Sequence, residues 1–303
     1  MARTAIVNNR IGGAIAIEDT SLTTGYRLYV HNGGTNSTTR GRTPDAPLAT
    51  LDYAIGLCSP NQNDTIYLMP GHAESLASAG AVTADIAGIT IKGLGNGANR
   101  PTFTWSNTAG TFLISAANVR VENIRCTCSV DEVVKLFSVT AAHATLDAVD
   151  FFETATFQAI QFLLTDANSD NLTIQNCRHY QKTAAAAAQK WIELIGADRA
   201  TIRDNIFHLT LSNQATSATI TSTGTAPVDV TVARNTIVQL GGTTQVSAIL
   251  MMAATSGFVT DNRVGSIFTA LAGTIAAADC FAAENYCLNN VNKSGILDPV
   301  ADS

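Results

Sequence analysis

Apolar and polar residues alternate along most of this chain in short β-branched runs. ITIKG, VRVEN, ATLDAVD, LTIQN, ATIRDN, VTVARN and FVTDN each alternate over a few positions and then meet Asn, Asp or Gly. Period-two alternation predicts half-buried strands, and the polar residue that ends each run predicts a turn. With Gly93, Asn123, Asp150, Asn176, Asn205, Asn235 and Asn262 as markers, the steps are 30, 27, 26, 29, 30 and 27 residues, with a last step of 23 to Asn285. A fixed period of this size, carrying the same strand pattern each time, signals a repeat architecture.

A second family of apolar strands lies between the markers: VVKLFSV, AIQFLLT, KWIELIG, SATITST and SAILMMA, each followed by a short polar or Gly-bearing link. Every repeat therefore holds at least two strands and leaves no room for a substantial helix. A unit this small buries its apolar face only by stacking on its neighbours. The fold predicted is all-β, a single-stranded right-handed parallel β-helix. At ~4.8 Å per coil, about eight coils give a rod on the order of 40 Å long. Asn123, Asp150, Asn176, Asn205, Asn235 and Asn262 are expected to form a structural row, because Asn tolerates left-handed backbone at turns and stacked amides bond along the stack.

Both ends of such a rod expose unpaired strand edges. The segment TPDAPLATLDYAIGLCSP places Leu48, Leu51, Ala54, Ile55 and Cys58 at helical spacing between Pro47 and Pro60, which predicts a capping helix over about 47–57. DTIYLM reads as the first strand of the stack and PGHAES as the turn leaving it. There Pro70 and Gly71 make the bend, and His72 and Glu74 are expected to orient the turn rather than carry protons. The domain reading is an N-terminal arm over 1–27, the β-helix over 28–290, and a tail over 291–303 that caps the last coil or reaches a partner.

Composition narrows the function. Hydrophobic residues are 46% of the 303, charged residues 14% and aromatics 6%, a mixture that suits stacked strands better than amphipathic helices. The net charge of -6 argues against a nucleic-acid partner. The N-terminal apolar patch is broken by Gly12 and Gly13 and ends at Glu18, which predicts neither a signal peptide nor a membrane span. Six scattered cysteines without a CxxC pair read as buried thiols. Cys126 and Cys128 share a strand face but have no nearby histidine, so no metal or cofactor is expected.

The run GRTPDAPLATLDYAIGLC, then DTIYLMPGHAES, AGITIKGLGNGANRPTF and the Asn-marked coils resembles pectate-lyase-like β-helix proteins, particularly those encoded by tailed bacteriophages. That resemblance covers roughly residues 25 to 290 and implies fold more strongly than activity. β-Helices of this kind often degrade polysaccharides. Hydrolysis needs two carboxylates at a set separation beside a groove, and the fallback candidates are Asp147, Asp150 and Glu153 in LDAVDFFET, with Asp166 and Asp170 in TDANSDN. Trp191 sits in an alternating strand and belongs in the core, so exposed tryptophans that would line a sugar groove are lacking. A lyase needs a Ca²⁺ site with a nearby base. Arg178, His179, Arg203, Asp204 and His208 are the best patch for one, although their alternation suits ordinary outward positions and no calcium cluster matches.

The expectation is therefore not an enzyme but a bacteriophage virion structural protein. It would be made in the host cytoplasm and placed on the capsid exterior as a decoration or cement protein, with the major capsid protein or another virion protein as partner and a homotrimer as the assembly. The alternative is a tailspike-like appendage that binds or cleaves host surface glycan.

Overall fold

The computed structural model describes residues 10–11, 14–15, 25–212, 214, 216–240, 246–266 and 274–288. Three stacks of strands run along one axis, with neighbours in each stack parallel. The first sheet begins at Arg27–Val30 and Thr65–Leu68 and ends at Phe281–Ala283. Its strands are the TIK, RVE, TLD, TIQ and TIR runs read above, and each places one β-branched or leucine side chain inward. The result is a like-on-like column: Leu28, Ile66, Ile91, Val121, Leu146, Ile174, Ile202, Val232 and Val259 face one another coil by coil, all fully buried. Each contributes about 1.5–3 kcal/mol of burial.

The third sheet holds eight strands, from Val82–Ala84 to Ile275–Ala276, and corresponds to the second family of runs. Between these two lies a further sheet, from Ala73–Leu76 to Tyr286–Leu288, so each coil carries three strands. Its strands follow the marker residues directly. In Arg120–Cys128 and Thr145–Phe152 the chain passes from the first sheet to the second as one continuous strand, which hides the corner from a reading based on turns.

The row of markers is corrected in register. The left-handed position at this corner is held by Asn123, Ala148, Asn176, Asp204, Arg234, Asp261 and Glu284, with φ between 52° and 58°. Asn205, Asn235, Asn262 and Asn285 sit one residue later, almost wholly buried, and Asp150 sits two residues after Ala148. One corner thus sets two separate requirements: a backbone twist, and an inward amide. The inward amides form a ladder in which Asn205 Nδ2 donates to Asn235 Oδ1, Asn235 Nδ2 to Asn262 Oδ1 and Asn262 Nδ2 to Asn285 Oδ1, each at 3.0 Å. Cys177 N–H joins at the top by donating to Asn205 Oδ1 at 2.9 Å. Asn123 instead bonds outward to Gly93 O and Gly95 O. A Cβ on Gly93 would stand 2.0 Å from Asn123 O, so glycine is needed there for the close approach of the next coil.

The N-terminal end is covered by Leu51–Ile55, shorter than the expected 47–57. Leu48 is drawn into strand pairing instead: its N–H donates to Tyr29 O and its carbonyl accepts from His31 N–H. Leu51, Ala54 and Ile55 are buried against the first coil, and Asp52 Oδ1 accepts from the edge N–H of Thr83 at 3.0 Å. Glu74 Oε2 accepts from Leu51 N–H at 2.9 Å and contacts His72 Nε2 at 3.1 Å. Glu74 therefore caps this helix, and His72 contacts the capping carboxylate. Glu74→Ala should cost about 1 kcal/mol by removing that acceptor, a drop of a few degrees in the thermal midpoint measurable by circular dichroism. Among the described residues no helix is long and apolar enough to cross a membrane.

Candidate functional site

The carboxylates read as fallback catalysts do not converge on a cleft. Each is committed to the next coil or to its own turn. Asp147 accepts from Arg120 Nη2 (2.6 Å), Gln175 Nε2 (2.8 Å) and Asn176 Nδ2 (2.9 Å). Asp150, 6% exposed, pairs with Arg100 at 2.5 Å and accepts from Arg178 N–H at 2.9 Å. Burial pushes its carboxyl up, and Arg100 pulls against that shift. Glu153 accepts from Lys182 and Thr183. Asp166 closes its own turn on Asn168 and Ser169, and Asp170 holds Asp198 N–H and Arg199.

The expected patch of Arg178, His179, Arg203, Asp204 and His208 is divided among three environments. Arg203 and Asp204 lie at the first sheet and its corner, where Arg234 bonds Asp204 twice at 2.8 Å and holds its carboxyl below the usual range. Arg178 and His208 face outward on the second sheet. His179 points inward, correcting its assignment to an outward position: Trp191 Nε1 donates to its Nδ1 at 2.7 Å, and its Nε2 meets Val149 O at 3.0 Å. Strict alternation along RHYQ places residue 179 inside once 178 and 180 are outside. Trp105 and Trp191 are both fully buried. Cys126 and Cys128 are buried together, and desolvation raises both thiols, Cys128 to about 12. Among the described residues no group of three or more His, Cys, Asp and Glu is placed to hold a metal ion.

Two constellations escaped the sequence reading. On the third sheet Glu193 accepts from Lys190 (2.6 Å), Gln161 (2.7 Å) and Thr223 (2.5 Å). Burial raises its carboxyl, but these donors outweigh that and leave it below the ordinary range. Residues 161, 193 and 223 stand about one coil apart in sequence, which was the available signal. The second is an open groove of about 430 Å³ at the corner between the third and first sheets. Asn61, Asn63, Asn118 and His143 line it, with Arg120, Thr90 and Thr145 on one wall. Asn61, Asn63, Asn118 and His143 all hold left-handed backbone, φ 57–61°.

The three stacks of parallel strands define a parallel β-solenoid. No family model matches the chain, and no curated protein matches it. Two solved structures are similar. A rhamnogalacturonan lyase shares 12% identity at a TM-score of 0.46, covering 90% of each chain. A GH136 lacto-N-biosidase from Eubacterium ramulus shares 13% identity at a TM-score of 0.42, covering 86% of this chain and 67% of that one. The expectation that the chain is not an enzyme is corrected here, since both similar structures are enzymes by name. At this identity the likeness concerns the fold and assigns no substrate.

Proposed function

We propose that this protein is a surface component of a tailed-bacteriophage particle, a rigid rod that decorates the shell and contacts neighbouring virion proteins. The observation that supports this reading is the outer face of the second sheet. Phe152, Tyr180 and Ile206 on neighbouring strands, and Tyr286 with Leu288 on the last, are each between 37% and 45% exposed there, on strands fixed by parallel pairing along the stack. Exposed apolar residues that run together rather than singly mark contact surfaces. The sequence resemblance supplies the phage setting. Mass spectrometry of purified particles tests the reading: a copy number comparable to that of the shell subunits is expected, and absence from the particle overturns it.

A second reading is favoured by the corner groove, where the side chains of Asn61, Asn63, Asn118 and His143 offer amide and imidazole partners to sugar hydroxyls. In it the rod is a tail appendage that binds or cleaves host surface glycan. A copy number matching tail fibres rather than shell subunits, together with shortening or retention of host capsule by the isolated protein, selects this second reading over the first.

A further inference from the structure

The second sheet differs chemically from the rest of the molecule. From Thr102 to Leu288 its outward positions hold no lysine and one carboxylate, Asp150, which is bound to Arg100. They do hold Arg125, Arg178 and Arg263, and none of these arginines makes an ion pair among the described residues. Arg125 lies 5.7 Å from the centre of the Phe152 ring, and its Nε is buried without a partner. Arginine and aromatic residues, with lysine and acids depleted, are the composition of a protein interface core. The chain as a whole carries a net charge of -6, so this face is a cationic and apolar exception on an acidic molecule.

The matching acidic surface is the corner between the third and first sheets, which the second sheet does not border. Asp198 and Asp229 occur there in successive coils and Asp279 two coils beyond Asp229, beside Asp166 and Asp170 of the preceding coil, with Arg199 the neighbouring cation, already paired to Asp170. These coils span the heights of Arg178 and Arg263. Two identical second-sheet faces meeting across a twofold axis would set arginine against arginine, which like-charge repulsion disfavours. We infer that the second-sheet face of one copy docks on the acidic corner of another, a heterologous side-by-side contact of rods that repeats from copy to copy.

The test is association of the full chain by light scattering. Wild type should run above monomer mass at low salt, and Arg263→Glu and Asp229→Arg should each run as monomers with unchanged circular dichroism. Arginine is tolerated at this corner, because Arg199 already holds the same left-handed backbone with φ 57°. Mixing the two variants should restore association, since each then meets an opposite charge. All six native cysteines are buried, so Tyr180→Cys places a single reactive thiol on the face, and it should give no disulfide dimer. A monomeric wild type, a mixture that stays monomeric, or a disulfide-linked dimer of the Tyr180→Cys variant would each overturn the inference. A monomeric wild type found in virions leaves the virion reading standing alone.

Discussion

Replacing Asn235 with alanine is expected to destabilise the rod by about 3 kcal/mol, because a buried polar group left without its partner costs about 1–3 kcal/mol and several are orphaned together. Asn235 Oδ1 accepts from both the backbone and side-chain N–H groups of Asn205, and its Nδ2 donates to Ile202 O and Asn262 Oδ1. None of these can turn to water at a residue with no exposed surface. Asn176→Gly is the control: Asn176 holds the left-handed backbone at φ 56° with its side chain on the outside, so glycine there should cost less than about 1 kcal/mol. Urea unfolding of the two variants reads the contrast. Equal losses would mean that the twist and the inward amide are not separate requirements.

The second large effect is on acid stability. Burial lowers the pKa of His179 from 6.5 to about 3, and its two ring bonds fix a neutral tautomer that donates from Nε2 to Val149 O and accepts at Nδ1 from Trp191. The unfolded chain takes up a proton at this histidine below about pH 6.5, while the folded chain does not until about pH 3. Stability from this group is therefore complete above pH 6.5 and falls as the pH drops toward 3, by on the order of 5 kcal/mol in total. The depressed carboxyls of Glu193 and Asp204 lose stability in the same direction. His179→Phe should lower stability at pH 7, since it leaves the Trp191 N–H and Val149 O unpaired. It should also flatten the decline between pH 6.5 and 4 relative to wild type. An unchanged slope in urea midpoint against pH would show that His179 titrates in the folded state.

Much of the architecture was legible because stacking forces a period on the sequence. Thr65, Thr90, Thr145, Thr173, Thr201 and Thr231 share one register position of the first sheet, with Arg120 taking it between Thr90 and Thr145, and each is followed by a buried aliphatic residue. The second sheet was hidden because its strands follow the marker residues with no link between: Asn123 and Ala148 turn the chain inside the continuous strands Arg120–Cys128 and Thr145–Phe152. The register of the Asn row was misread because the eye follows identity, whereas the left-handed site accepts Ala148, Arg234 and Glu284 as well as Asn. Candidate chemistry was harder still. Asp147 and Asp150 are close in sequence, but they lie on different sheets and hold separate partners, while Gln161, Glu193 and Thr223 are distant in sequence and meet.

The ladder also has a direction. Every amide hands its hydrogen to the one below, from Asn205 to Asn285, so any two successive coils present interchangeable ends. In-frame duplication or excision of a whole coil would rejoin donor to acceptor without an orphan, whereas a single substitution cannot. The length of this molecule is thus free to change in genetic steps of one coil, 23 to 30 codons along this ladder, while its corner chemistry is held fixed.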